Sequence, residues 1–316
     1  MVVFRRLASI VCLALATLAL AGAALGAPSA PKILPHPPLW KIQKGAGTVY
    51  LFGSLHILPK DFRWGTPQID AALGASDVFV FEVPLDDAAL EEEKAFVLEN
   101  GFYLDGRSLK TLLSATEFRR YSTVLRLAGL PAWQTEHFRP WLASVMLGLA
   151  YLHRGNVANL RGADETIVEY AQGHGKELRY LENVSDQMTL IMTGEERVQL
   201  KGLKSLIIRL PRARTQESVL RESWSSGDAE GFTKLIEGYF SGRDEAKERL
   251  VDRRNRDWIT PIKQYLDAGN TTFVTVGAAH IGGEQGLLQL LCNEGFDVER
   301  VADAVVASTK TCGPRA

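Results

Sequence analysis

The same strand ending occurs twice, near opposite ends of the chain. Residues 48–56 read T-V-Y-L-F-G-S-L-H, and residues 271–280 read T-T-F-V-T-V-G-A-A-H. Each is a run of β-branched and aromatic residues followed by Gly-x-x-His, which predicts a strand that ends in a turn. A fold for this chain has to explain why one protein carries the same strand ending twice, so the repeat constrains the fold more than any other feature.

A helix and a second strand follow each copy of this ending. We predict a helix at 68–75 and a strand at 77–83 after the first copy, and a helix at 284–293 and a strand at 297–301 after the second. The continuous apolar run of the 77–83 strand predicts burial on both faces, as in a sheet covered by helices. The pattern therefore predicts one α/β domain with a central, mostly buried sheet made of two related βαβ halves. Two separate domains are the alternative, although each half alone would have little core.

Helical spacing dominates the region between the two halves, from about 86 to 258. We predict a large α-helical insertion there, interrupted by one strand, E-L-R-Y-L, at 177–181. The predicted helices cover residues 90–100, 116–128, 141–153, 164–174, 194–208, 217–226, 229–239 and 244–266.

The N-terminus has the features of an export signal. Arg5 and Arg6 precede an apolar run at 7–25, which ends in small residues of the kind that a signal peptidase reads. We predict a signal peptide at 1–26, a Pro-rich linker at 27–38 and the folded domain at 39–316. The protein would then be exported, periplasmic or secreted, with no stable membrane span after cleavage. An uncleaved anchor is the alternative, because the run is about long enough to cross a bilayer.

The composition is that of a globular protein, with 46% apolar and 23% charged residues. The 36 basic and 37 acidic residues nearly cancel. No field of one sign is therefore available to hold a nucleic-acid backbone, and we do not expect nucleic acid as a partner.

Two cysteines, Cys292 and Cys312, remain once the leader is removed. In an oxidising compartment this pair predicts a disulfide that ties the C-terminal tail to the preceding helix. Two free thiols are the alternative, because spacing alone does not show that the Cα atoms come close enough.

The two motif histidines, His56 and His280, are the first candidates for chemistry. A strand that ends in Gly-x-x-His places the His just beyond the carboxyl edge of the sheet, where open α/β sheets bind ligands. Gly53 and Gly277 would let the backbone turn sharply or approach a ligand closely. Two ordinary turn histidines are the alternative, but the identical spacing argues for a shared site in which the two imidazoles face each other.

Glu82 is the third candidate, because it closes the buried strand F-V-F-E-V and would reach the same edge as His56. Two His and one carboxylate are a familiar ligand set for a divalent ion such as Mn, Co or Zn. Arg254 and Asn255, on the long helix before the second motif, could supply a cation and an amide for a developing oxyanion. The alternative is that this charged stretch is only the solvent-exposed face of a helix.

Together, several motifs resemble those of the TraB/GumN family. They are Y-L-F-G-S-L-H, the strand with Glu82, Gly162-Ala163-Asp164, R-N-x-x-W at 254–258 and V-G-A-A-H-I-G-G-E-Q-G-L. The family includes the animal Tiki proteins, metal-dependent proteases that trim Wnt, and its fold is similar to that of erythromycin esterases and ChaN proteins. The family's two Gly-x-x-His motifs match Gly53 with His56 and Gly277 with His280. Its acid matches Glu82, and its Arg-Asn pair matches Arg254 and Asn255.

The resemblance implies a metal-dependent hydrolase, most simply a peptidase acting on a peptide or protein substrate. His56, Glu82 and His280 would hold the ion, and Arg254 would stabilise the oxyanion. One alternative is a metal-independent, esterase-like hydrolase with a His as general base oriented by Glu82. A second is a non-catalytic protein that binds a peptide or haem. The segment at 182–187 departs from the family's acidic pattern in its centre, which affects the expected substrate contacts.

Overall fold

In the computed structural model of the protein, the described residues are 35–127, 130, 132–153, 161–209, 213–240, 244–302 and 309–312. The predicted signal peptide at 1–26 and most of the 27–38 linker lie outside these residues. The chain divides into two compact units. A helical unit takes residues 85–160 and 183–218, and a sheet unit takes the described residues before, between and after those stretches.

The sheet unit contains a seven-stranded mixed sheet. Its strands are β1 (Leu39–Lys44), β2 (Gly47–Ser54), β3 (Val78–Phe81), β4 (Glu177–Tyr180), β5 (Thr271–Gly277), β6 (Val298–Arg300) and β7 (Thr309–Cys312). The strand order is β4-β3-β5-β2-β1-β6-β7. The first four in this order run parallel, whereas β1, β6 and β7 add antiparallel pairs on one side. The two repeated strands, β2 and β5, are direct neighbours in the sheet.

The helices are named in chain order. They are α1 (Pro67–Ala75), α2 (Asp87–Asn100), α3 (Leu109–Leu112), α4 (Ala115–Leu127), α5 (Ala132–Thr135), α6 (Pro140–His153), α7 (Ala163–Gly173), α8 (Val184–Met192), α9 (Glu196–Arg209), α10 (Ala213–Ser225), α11 (Ala229–Phe240), α12 (Asp244–Lys247), α13 (Arg253–Asp267) and α14 (Leu287–Asn293). A π-helical turn, Glu248–Asp252, joins α12 to α13. In the helical unit, α6 packs against α4 and α9, and α2 packs against α8. None of the helices within the described residues is long and apolar enough to cross a membrane.

Both faces of the sheet are apolar, but the strands present mainly aliphatic side chains on one face and aromatic side chains on the other. On one face α13 buries Trp258, Ile262 and Leu266, at helical spacing, in a core of aliphatic strand residues that includes Val49 and Val274. On the other face the strands bury aromatic side chains: Phe79 and Phe273 stack at 5.8 Å, Phe52 and Trp64 at 5.4 Å, and Trp224 meets Phe52 at 6.1 Å. Apolar packing on both sides holds the parallel strands rigidly, which fixes the positions of the residues that follow them.

The predicted α/β class is confirmed, and the strand predicted at 77–83 is buried on both faces, as its apolar run indicates. The strand β1 and the helix α8 were not predicted. The stretch 161–182, which carries α7 and β4, and the described residues of 219–258 belong to the sheet unit although they fall inside the predicted helical insertion. The construction of the sheet from two related βαβ halves stays a prediction.

A disulfide joins Cys292 in α14 to Cys312 in β7, with their Cα atoms 5.8 Å apart. It closes a stretch of 20 residues and links β7, the last described strand, to α14 within the sheet unit.

Candidate active site

Four parallel strands each deliver a polar residue to the same edge of the sheet. Beyond their carboxyl ends lie His56 after β2, Glu82 after β3, Glu182 after β4 and His280 after β5. The backbone pairing continues past the strands, because Glu182 N donates to Glu82 O at 2.8 Å. Carboxyl ends of parallel strands are where open α/β sheets bind their ligands.

His56 is held by a buried carboxylate. Its Nδ1 lies 2.9 Å from Asp164 Oδ2, near the N-terminus of α7. A Cβ at Gly162 would lie 2.1 Å from Asp164 Oδ1 and 2.7 Å from His56 O, so only glycine lets the helix start so close to the backbone of His56. Burial lowers the pKa of His56, but the charge and hydrogen bond of Asp164, together with Glu82, raise it to about 9. His56 is therefore cationic at neutral pH.

His280 is held by an amide instead. Asn255 Nδ2 donates to Gln285 O at 2.7 Å, which turns its Oδ1 toward His280 Nδ1 at 2.6 Å. The Nδ1 of His280 must then carry the proton, so its Nε2 is a lone-pair acceptor. Burial, with a contribution from Arg254, lowers the pKa of His280 to about 3, which keeps the ring neutral. The ring also lies against Trp258, with 4.6 Å between centroids.

Glu82 is held by Gly277 and Arg254, close to His280. Its Oε1 accepts from Gly277 N at 2.6 Å, and its Oε2 accepts from Arg254 Nη2 at 2.6 Å. Burial raises the pKa of Glu82, but Arg254 and the two histidines outweigh it and hold the pKa at about 2. The carboxylate is ionised at neutral pH, and its Oε1 is 3.9 Å from His280 Nε2.

Gly277 marks the point where these three side chains converge. A Cβ at this glycine would lie 2.9 Å from His56 Nε2, 3.3 Å from Glu82 Oε1 and 3.6 Å from His280 Cδ2. The missing Cβ therefore makes room for the functional side chains themselves.

Arg254 forms a buried bridge between two carboxylates. Its Nε and Nη2 donate to Glu182 at 2.8 and 2.9 Å, and its Nη1 lies 3.2 Å from His280 Nε2. Trp258 Nε1 donates to Glu182 at 2.9 Å, and the guanidinium lies 4.7 Å from the Trp258 ring. The π turn ends at Asp252, two positions before Arg254. Such turns are frequent at functional sites.

The structure brings the predicted residues His56, Glu82, Arg254, Asn255 and His280 together. Three further residues of the site, Asp164, Glu182 and Trp258, were quoted only as parts of family motifs and had no predicted role. Asp164 looked like an ordinary acidic residue in the first turn of a helix, and Glu182 like a polar residue after a short strand. No pattern within either segment indicated that its carboxylate would reach this site.

Gly53 has a different role from Gly277. A Cβ at Gly53 would meet Ile281 Cγ1 at 2.8 Å and Ala278 Cα at 3.1 Å, and its carbonyl oxygen accepts from Trp224 Nε1 at 2.7 Å. The first motif glycine therefore allows the two turns to pack against each other.

The donor chemistry of the cluster fits a divalent ion. Two imidazoles, each fixed through Nδ1 by an outer oxygen, and one carboxylate are a recurrent ligand set, and such outer oxygens are typical of metal-binding histidines. Among the described residues, no three His, Cys, Asp or Glu side chains already form a complete set of ligands around one point. Arg254 contacts both Glu82 and His280 in this arrangement, so an ion would have to replace those contacts.

A cavity of about 250 Å³ adjoins the two motif turns. Its lining is mostly apolar and includes Gly53, Ala278, Ile281 and Gly282 from the turns, with Trp224 and Phe232 opposite. It is large enough for an apolar side chain of a bound molecule.

Comparison with known proteins finds one family. The sequence model of the TraB/PrgY/gumN family matches residues 38–300, which is most of the chain. No curated protein and no solved structure matches. The matched region contains both Gly-x-x-His turns and every residue of the site described above, and the chain therefore belongs to the TraB/PrgY/gumN family.

Proposed function

We propose that the protein is a hydrolase of peptide or amide bonds that uses a divalent ion, Mn, Co or Zn, held by His56, Glu82 and His280. The observation that carries the proposal is the orientation of the two imidazoles. Each is fixed at Nδ1 by a buried oxygen, of Asp164 or of Asn255. This leaves both Nε2 atoms to act as ligands, provided that the ion displaces the proton that the charged His56 imidazole carries on Nε2.

The ion would supply Lewis-acid polarisation and lower the pKa of water from about 15.7 to about 7. The side chains of the chain itself have distinct tasks. Glu82, ionised and fixed by Gly277 N–H, either completes the ligand set or accepts a proton from the attacking water. Asp164 and Asn255 set the orientation of the imidazoles.

Arg254 is the donor for negative charge that develops on the substrate carbonyl oxygen. Its guanidinium is buried, and its charge is balanced by Glu82 and Glu182. Loss of one such donor typically costs about 10² to 10³ in rate.

A peptide or protein is the proposed substrate, and the apolar cavity beside the turns favours an apolar side chain near the scissile bond. We further propose that the protein acts outside the cytoplasm, because the Cys292–Cys312 disulfide suits an oxidising compartment.

A second candidate is hydrolysis without an ion. Arg254 Nη1 donates to His280 Nε2, which gives the neutral imidazole a partner that needs no metal. The charged His56–Asp164 pair would then be the general acid. In this version Asp164 and Asn255 orient the histidines through Nδ1, while Glu82 accepts hydrogen bonds from Gly277 and Arg254.

The decisive experiment is cleavage of a peptide library by the mature protein before and after dialysis against a chelator. We expect cleavage to stop on dialysis and to return when Mn²⁺, Co²⁺ or Zn²⁺ is added back singly. Glu82→Gln should lose turnover while its circular dichroism stays that of the wild type, and the exposed Glu169→Gln in α7 serves as the matched control. Full activity after dialysis would support the metal-independent candidate. Retention of bound peptide without cleavage by the metal-loaded protein would contradict both and indicate a binding protein.

A further inference from the structure

The Arg254 guanidinium is a cation that contacts two of the proposed ligands of the ion, Glu82 and His280. Its Nη2 is 2.6 Å from Glu82 Oε2, and its Nη1 is 3.2 Å from His280 Nε2. Both acceptors are buried, so each contact is made where charge is poorly screened. A divalent ion that binds His280 through Nε2 has to take that atom from the guanidinium, and an ion that also binds Glu82 through Oε2 has to take both.

Glu182 holds the other edge of the same group. The Nε and Nη2 atoms of Arg254 reach the two oxygens of Glu182 at 2.8 and 2.9 Å, the two-point contact for which guanidinium and carboxylate are matched. Trp258 Nε1 donates to Glu182 Oε1 at 2.9 Å and fixes the carboxylate in turn. The Glu182 contacts involve neither His280 nor Glu82 side-chain atoms, so they can persist when those two residues change partner.

We propose that Glu182 is a positioning residue, which retains Arg254 at the site while a divalent ion takes Glu82 and His280 from it. This inference rests on the proposed cation site. With Glu182 present, Arg254 has a second carboxylate and can release Glu82 at small cost, and its freed N–H groups then face the reaction centre. Without Glu182, Arg254 keeps its hydrogen bond to the Glu82 carboxylate, and the guanidinium competes with the ion there.

The test is a double-mutant cycle on Mn²⁺ affinity, measured by electron paramagnetic resonance of free Mn²⁺ and needing no substrate. Wild type, Glu182→Gln, Arg254→Met and the double variant are compared. We expect Arg254→Met to bind Mn²⁺ more tightly than the wild type, because the competing cation is gone. Glu182→Gln should weaken binding, and this loss should be about tenfold larger with Arg254 present than in the Arg254→Met background.

A second variant separates the effect of the position of the Glu182 carboxylate from the effect of its charge. Glu182→Asp keeps the negative charge but withdraws the carboxylate by one methylene, so it should weaken Mn²⁺ binding in the wild-type background and leave it unchanged in Arg254→Met. It also provides the test if Glu182→Gln does not fold by circular dichroism. Glu177→Gln, which removes an exposed carboxylate from β4, is the matched control and should not change the affinity.

Three outcomes would overturn the inference. Equal losses for Glu182→Gln in both backgrounds would mean that Glu182 acts by its charge alone. Unchanged affinity in Arg254→Met would mean that the guanidinium does not compete. In both cases the cation site itself would stand. Failure of wild type and Arg254→Met alike to bind Mn²⁺, Co²⁺ or Zn²⁺ would refute the cation site and this inference together.

Discussion

At the scale of single residues, two histidines from the same motif have opposite electrostatics. His56 is paired with the carboxylate of Asp164, and its pKa is raised to about 9. His280 is paired with the amide of Asn255, and burial lowers its pKa to about 3. The repeat in the sequence therefore fixes where the imidazoles lie, and the outer partner of each ring fixes its charge.

Asp164→Asn should weaken divalent-cation binding by about 10- to 100-fold, the usual cost of losing an outer partner of a ligating histidine. The amide can present a donor to Nδ1 in place of the carboxylate acceptor, so His56 is no longer held with its proton on Nδ1 and its Nε2 lone pair available to the ion. Mn²⁺ titration of the folded variant measures the effect. Glu169→Gln, five residues further along α7 and exposed, is the control. Wild-type affinity in Asp164→Asn would mean that His56 is not a ligand.

At the scale of elements, the two Gly-x-x-His turns use their glycines differently. The site of a Cβ at Gly277 is crowded by the ends of His56 and Glu82, whereas the site at Gly53 is crowded by Ile281 and the Ala278 backbone. The first is a functional constraint, and the second is a packing constraint. One sequence pattern therefore has two physical causes.

Gly277→Ala and Gly53→Ala should consequently separate an effect on cation binding from an effect on stability. In Gly277→Ala the added methyl pushes the ends of two side chains, so cation binding should fall while the Tm changes little. In Gly53→Ala the methyl overlaps packed atoms, and such overpacking typically costs about 1–3 kcal/mol, which should lower the Tm. Thermal melts and Mn²⁺ titrations of both variants test this. The reverse pattern would show that Gly277 serves the fold and that the cluster does not need its space.

The strands that carry the site were predictable because they are long apolar runs between turns, and β2, β3 and β5 appear close to the predicted bounds. The strand β1 was missed because its sequence, L-W-K-I-Q-K, alternates only in part and its burial depends on pairing with both β2 and β6. The helix α8 had a usable signal: Asn183 caps it by accepting from Asp186 N. The π turn in the 244–267 stretch had none, since amphipathic spacing does not report a single inserted residue. The partners Asp164 and Glu182 lie far from the histidines in sequence, so only the fold reveals them.

At the scale of the whole molecule, the disulfide is attached to the edge strand β7, which is not one of the strands that carry the site. Cys312 is in β7, at one end of the strand order, whereas the site residues follow β4, β3, β5 and β2, which take up the other end. Replacing both cysteines by alanine should therefore destabilise the protein without changing its cation affinity. For a closed stretch of this length the expected loss is about 3 kcal/mol. A lower Tm with unchanged Mn²⁺ binding is the expected result, and a parallel loss of binding would mean that β7 supports the site.

The helical unit contains a different kind of buried group. Glu93, in α2, has no exposed surface, and neither of its carboxylate oxygens has a hydrogen-bond partner in the described part of the chain. Burial raises its pKa from 4.5 to about 8, against a smaller opposing effect of Lys94. The group is therefore protonated in the folded protein at neutral pH and ionised in the unfolded chain.

This difference makes stability depend on pH with a definite sign. Below about pH 4.5 Glu93 is protonated in both states and costs nothing; between 4.5 and about 8 only the folded state holds the proton, so stability falls as pH rises. The slope from this one group is about 1.4 kcal/mol per pH unit. Glu93→Gln removes it, so the Tm of the variant should equal that of the wild type near pH 4.5 and exceed it increasingly up to about pH 8. Glu99→Gln, an exposed change in the same helix, should follow the wild type at every pH. A constant difference between Glu93→Gln and wild type across this range would show that Glu93 is ionised in the folded state.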